Sequence, residues 1–328
     1  MKHITILVPQ GAVLGSIEGP RQVLTEANKF VVSTGRDPFC QVQLVGLTKE
    51  VPAAGGKYTV NADATIDDIA KTDLIIIPAL DGDMEALLKE NAGFLPWIVQ
   101  HYQKGAEVAS LCVGAFLLAS TGLVDGKKCA THWLAAHGFK KMFPQVHLVE
   151  DKIITDEQGI YTSGGAFSYL NLILYLIEKY TGREVAIFMS KAFQIDIERR
   201  SQSPFHIFQG QKDHEDEPVR KAQEFIENHF QDRITVDELA DRFALGRRNL
   251  ERRFKKATSN TLVEYIQRVK VEAAKKSFES TRKNITEVMY EVGYSDTKAF
   301  RETFKKITGL SPIEYRNKYN KEALILAA

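Results

Sequence analysis

Cysteine is scarce here, and its number and spacing suit no scaffold: Cys40, Cys112 and Cys129 are an odd set without a Cys-x-x-Cys pair. That excludes a disulfide framework and offers no zinc-site spacing, so neither a metal nor any other cofactor is expected. A reducing cytoplasm is the setting such usage fits. Long apolar runs are missing too. Behind Met1-Lys2-His3 the first one, Ile4 to Val8, stops at Pro9, too short for a signal-peptide core or a membrane span. No membrane partner is expected. Net charge is nearly absent, +1 over 328 residues, but the balance is uneven along the chain. Residues 1 to 217 carry 20 Lys and Arg against 26 Asp and Glu, and residues 218 to 328 carry 23 against 16. Basic character gathered at one end is the footprint that nucleic acid demands of a partner.

What is present at that end is a repeat. With Phe254 set against Phe304, Leu250 meets Phe300, Lys255-Lys256 meets Lys305-Lys306, Thr258 meets Thr308, and Glu264-Tyr265 meets Glu314-Tyr315. Each copy starts with a short amphipathic helix, Val236 to Phe243 and Ile285 to Val292, broken by Ala244-Leu245-Gly246 and by Gly293-Tyr294-Ser295. A second helix follows each turn, with apolar Leu250, Phe254 and Ala257 or Phe300, Phe304 and Ile307 on one face. Helix, tight turn, helix is the DNA-reading unit, whose second helix buries one stripe and offers basic residues on the other. The candidates to face DNA are Arg247, Arg248, Asn249 and Arg252 in the first copy and Thr297, Lys298, Arg301 and Lys305 in the second. Leu262 to Phe278 reads as one helix between the copies, a rigid spacer that would set the two units about one helical turn of DNA apart.

Val292-Gly293-Tyr294-Ser295-Asp296, Ala299-Phe300, Thr303-Phe304-Lys305-Lys306, Thr308-Gly309, Ser311-Pro312 and Tyr315-Arg316 closely resemble the AraC/XylS family of bacterial transcription regulators. The resemblance covers about the last hundred residues and implies double-stranded operator DNA as partner. Two positions depart from the family pattern. Gly246 stands where a hydroxyl cap is usual, and Glu302 stands where the second recognition helix commonly has Arg.

The first two hundred residues follow another rhythm. His3 to Val8 suits a buried parallel strand, and Gly19-Pro20 opens a helical pattern to Val32. Val42 to Leu47, Asp73 to Pro78 and Glu107 to Leu111 read as further strands, with a helix from Phe94 to Gln103. This alternation predicts a parallel sheet covered by helices on both faces. After Glu107 to Leu111 the chain passes through Cys112 straight into Gly114 to Ser120, a strand-to-helix turn that would hold the thiol at the carboxyl edge of the sheet.

Cys112-Val113-Gly114, Gly122 to Gly126, Ala130-Thr131-His132-Trp133 and Ser163-Gly164-Gly165-Ala166 resemble the glutamine-amidotransferase-like superfamily that includes the PfpI proteases. The resemblance implies an α/β flavodoxin-like domain over residues 1 to 196. It is followed by a polar linker over 197 to 217 and an all-α domain with two helix-turn-helix units over 218 to 328. It also implies Glu18 as the acidic partner of Cys112. Val113 stands where family hydrolases carry the adjacent His, and no His lies near Gly164-Gly165, so the base a cysteine nucleophile requires is missing. His132 is left as a helix cap, a pocket residue or a base.

Fusion of these two domains resembles regulators of amino-acid, betaine and related amine catabolism. This implies a small-molecule effector held by Glu18, Cys112, Val113 and His132 without turnover. The alternatives are a PfpI-type hydrolase or hydratase with Cys112 as nucleophile, and a purely structural or dimerising domain. A homodimer is expected from half-site recognition, with RNA polymerase as a further partner.

Overall fold

The computed structural model describes residues 1–320, which form two compact units, Met1–Gln202 and a second beginning at Ser203. In the first, seven strands lie in one sheet. β1 (Lys2–Val8) pairs in parallel with β2 (Cys40–Gly46) on one side; a β3–β4 hairpin (Glu50–Ala53, Tyr58–Asn61) stands apart, and β5 (Ala64–Thr65) closes that edge. On its other side β1 pairs with β6 (Leu74–Ile77), which pairs with β7 (Glu107–Leu111). Further along are β8 (Lys128–Cys129), β9 (His147–Leu148), β10 (Ile154–Glu157) and β11 (Ile160–Ser163); β11 runs parallel to β7, and β10 is an antiparallel edge strand.

The two faces of the sheet bury different residues of the same strands. Ile4, Ile6, Leu74, Ile76, Ala109 and Leu111 pack under α1 (Leu14–Ser33), α6 (Tyr169–Thr181) and α7 (Arg183–Ala192). Leu7, Ile75, Ile77 and Val108 pack under α2 (Met84–Glu90), α3 (Phe94–Gln103), α4 (Ala115–Ala119) and α5 (Ala136–Met142). Burial on both sides is why these strands read as unbroken apolar runs. The sheet reverses its strand order between β1 and β6, and open α/β sheets hold ligands in a crevice outside the carboxyl ends of their strands at such a switch point.

The first helix corrects its expected start. It begins at Leu14, not at Gly19, and contains Pro20. Gly19 marks a close approach instead of a boundary, since a Cβ there would lie 2.7 Å from the Tyr169 hydroxyl.

The second unit is all helical: α8 (Glu217–Asn228), α9 (Val236–Arg242), α10 (Arg247–Thr258), α11 (Leu262–Ser280), α12 (Ile285–Glu291), α13 (Thr297–Thr308) and α14 (Pro312–Tyr319). It holds two cores. One joins α8, α9, α10 and Leu262–Val269 of α11, and the other joins Val271–Phe278 of α11 with α12, α13 and α14. The fifty-residue repeat persists down to single hydrogen bonds: Thr258 Oγ1 donates to the Phe254 carbonyl and Thr308 Oγ1 to the Phe304 carbonyl, both at 2.8 Å. Thr261 with Glu264 and Ser311 with Glu314 then form matching capping boxes at α11 and α14.

The stretch 197–217 is ordered on both sides. The Arg200 carbonyl accepts from Ile153 N–H within the first unit, while Phe208 packs its ring against Tyr265 within the second.

Candidate functional site

Cys112 follows β7 on a left-handed turn, φ +54°, a conformation that costs an L-residue roughly 1–2 kcal/mol. Gly114 makes the turn possible. A Cβ at that position would lie 2.4 Å from the Pro78 carbonyl oxygen, so the backbone can pass under the loop after β6 only without a side chain. The Thr131 hydroxyl donates to the Cys112 carbonyl at 3.0 Å, and the Cys112 N–H faces Ser163 Oγ at 3.4 Å. Cys112 as a whole is 6% exposed. Burial pushes its pKa up to about 11, although the Val113 N–H works in the other direction.

His132 caps the helical turn Trp133–Ala135, its Nδ1 accepting from the Leu134 N–H at 3.1 Å. A lone pair committed at Nδ1 puts the proton of the neutral ring on Nε2, which leaves no acceptor for a thiol proton. Burial also lowers the ring's pKa. Val113 packs its side chain on the core beneath α3 and α4.

Glu18 is paired within its own helix. Its carboxylate is 55% exposed and grips Arg21 in a bidentate pair at 2.6 and 2.7 Å. Two residues along an α-helix is about 200° around it, and the residue turned inward is Ser16. Ser16 is 1% exposed, donates to the Val13 carbonyl at 2.7 Å and accepts from Ala79 N–H at 3.0 Å.

Two further residues at this site escaped sequence reasoning. Tyr169, the first residue of α6, donates its hydroxyl to the Gly15 carbonyl at 2.6 Å. Its pKa is raised by burial and by proximity to the Cys112 thiol. Gln202, read as linker, is 1% exposed; its amide donates to the Thr131 carbonyl at 3.0 Å and accepts from Trp133 N–H at 3.3 Å. It thereby holds the segment that carries both His132 and the hydroxyl on Cys112. A polar residue in a polar stretch gave no signal of this.

In the second unit all eight DNA-facing candidates are solvent-exposed on α10 and α13. They are not equally free. Arg247 bridges Asp237 at 3.1 Å and Glu251 at 3.4 Å, Arg252 donates to Asn249 at 3.3 Å, and Lys298 lies 4.0 Å from Glu302. Arg253 on the same helix is occupied by Asp216, which caps α8. Gly246 starts α10 without a side-chain cap, whereas Asp296 accepts from Ala299 N–H at 2.6 Å at the start of α13.

Comparison with known proteins agrees with both halves. The DJ-1/PfpI family profile matches residues 2–179, and a helix-turn-helix domain profile matches 239–318. The chain is 25% identical over 326 residues to the HTH-type transcriptional regulator GbdR of Pseudomonas aeruginosa, covering 96% of this chain and 84% of that regulator. It is 25% identical over 274 residues to the regulator CdhR of the same species, covering 80% and 77%. Among solved structures, a putative transcriptional regulator protein from Vibrio parahaemolyticus superposes with a TM-score of 0.53 at 23% identity, over 58% of this chain and 98% of that one. With its flavodoxin-like first unit and tandem helix-turn-helix second unit, the chain belongs to the DJ-1/PfpI family and is an AraC-type transcriptional regulator.

Proposed function

We propose that this regulator senses a small metabolite in the crevice at Cys112 and does not transform it. The observation that carries this is the state of two groups: a thiol pushed up to about 11, and a His132, next in sequence to the Thr131 that bonds the Cys112 carbonyl, whose Nδ1 is already an acceptor. A thiol nucleophile needs a base or a lowered pKa, and this pair supplies neither. Cys112 then serves as a polar contact at the crevice floor, with His132 Nε2–H and Tyr169 beside it. The effector class we propose is an amino acid, betaine or related amine. Tyr169, Trp133 and the 74% exposed Phe167 put aromatic faces near this edge of the sheet, and such faces attract ammonium groups.

For the DNA side, we propose that α10 and α13 enter successive major-groove segments of double-stranded operator half-sites. Arg248, Asn249 and Arg252 would be the main readers, with Thr297, Lys298, Arg301 and Lys305 contacting the second segment. Arg247 must leave Asp237 to contribute. A homodimer and contact with RNA polymerase complete the proposal.

A thermal-shift screen of amino acids, quaternary amines and their breakdown products tests the sensing reading, because a ligand bound only by the folded state raises its stability by mass action. A stabilising amine recovered chemically unchanged is the expected result. Turnover of an amide, isonitrile or ketoaldehyde that is lost in Cys112→Ser would instead favour the hydrolase that the elbow-like turn brings to mind.

A further inference from the structure

A lysine in a protein interior is costly unless its ammonium is fully engaged. Lys270 is 7% exposed at the middle of α11, between Val269, which belongs to the first core of the helical unit, and Val271, which belongs to the second. Its Nζ donates in two directions: to the Asp232 carbonyl at 3.2 Å, in the loop after α8, and to the Gly293 carbonyl at 3.1 Å, in the turn of the second helix-turn-helix. Gly293 sits at φ +73°, and a Cβ there would lie 2.1 Å from the Gln231 carbonyl oxygen and 2.6 Å from Lys270 Nζ. The turn of one reading unit is therefore pressed directly on a loop of the other. Phe230, in that same loop, packs against both cores.

We propose that Lys270 is a spacing residue: by pinning the Gly293 turn to the Gln231–Asp232 loop, it fixes the separation and angle at which α10 and α13 meet DNA. Helix α11 alone would leave the two cores joined by one rod, free to twist about it. The lysine ties them at a second point off that axis. Replacing it by an apolar side chain keeps the rod and the Phe230 contact and removes the polar tie. The inference rests on the DNA-reading function proposed above and adds a determinant of which operators are read.

The test uses the full-length chain and a duplex it selects from a randomised library, together with derivatives carrying one or two base pairs inserted between the two contacted segments. One inserted base pair rotates the second segment by about 35° and moves it by about 3.4 Å. Wild type is expected to lose about tenfold in affinity per insertion. Lys270→Met, which follows the lysine as far as Cε and lacks the ammonium, is expected to bind the selected duplex within a few-fold of wild type but to discriminate against the insertions less than about threefold. Lys270→Arg should restore most of the discrimination. Should Lys270→Met fail to fold, Gly293→Ala, whose Cβ would push the turn off both the Gln231 carbonyl and the Lys270 ammonium, carries the same expectation. A folded variant that keeps the wild-type spacing profile, or a wild type indifferent to the insertions, would overturn the proposal. Failure of wild type to select any duplex would sink the DNA-reading proposal itself.

Discussion

Iodoacetamide reacts with thiolates and not with thiols, so its rate at Cys112 separates a sensing residue from a nucleophile. An ordinary cysteine, with a pKa of about 8.5, is roughly one-tenth thiolate at pH 7.5. With Cys112 pushed up to about 11, the fraction falls to about one in three thousand, a loss of roughly 300-fold. A more basic thiolate is also a better nucleophile, and a Brønsted slope of about 0.45 returns roughly 13-fold. The net expectation is alkylation about 20-fold slower than free cysteine, before the further hindrance of a residue only 6% exposed. Peptide mapping by mass spectrometry isolates the site from Cys40 and Cys129, both of which burial pushes up to about 12. The rate at Cys112 should climb about tenfold per pH unit to pH 10, since the thiolate fraction does. A plateau between pH 6 and 8, at a rate above that of free cysteine, would mean an activated thiol and would refute the argument.

Other outcomes follow from named contacts. Phe304 is fully buried with its ring against Phe278, Phe300 and Tyr315; Phe304→Ala should cost about 3–5 kcal/mol in urea unfolding of the helical unit. Arg248→Ala and Arg252→Ala should each weaken binding to a selected duplex by about 1–3 kcal/mol. Relaxed sequence preference would mark a base contact and uniform weakening a phosphate contact; unchanged affinity in both would remove α10 from the groove. Glu107 is opposed by burial, but hydrogen bonds from Lys179, Tyr180 and Tyr161 hold its pKa below the ordinary carboxylate value. A depressed folded-state pKa stabilises fully above the unfolded value of about 4.3 and is lost as pH falls through the folded one. Acid titration should therefore show wild type more stable than Glu107→Gln at pH 6, with the gap closing below pH 4.

Much of this protein is local, and what is local was legible. The helix-turn-helix repeat was readable because anchors and turns recur at fixed separations, and each is decided within a few residues: Phe254 and Phe304, Thr258 and Thr308, Glu264-Tyr265 and Glu314-Tyr315. The strands from Ile4, Leu74 and Glu107 were readable because burial on both faces writes an apolar run. The strand-to-helix turn at Cys112 and the cap at His132 are likewise neighbour-to-neighbour features.

What only the tertiary structure decided depends on groups far apart in the chain. Glu18 or Ser16 could have faced the crevice, and the rotation of α1 was set by Gly15 and Gly19 closing on Tyr169, some 150 residues away. Gln202 and Lys270 look like surface residues in sequence, polar among polar, because a buried amide or ammonium is recognisable only by the carbonyls it satisfies. Those carbonyls, of Thr131 and Lys152 for one and of Asp232 and Gly293 for the other, converge only when the chain has folded. Backbone groups belong to every residue alike, so no side-chain pattern announces where two of them will need the same donor.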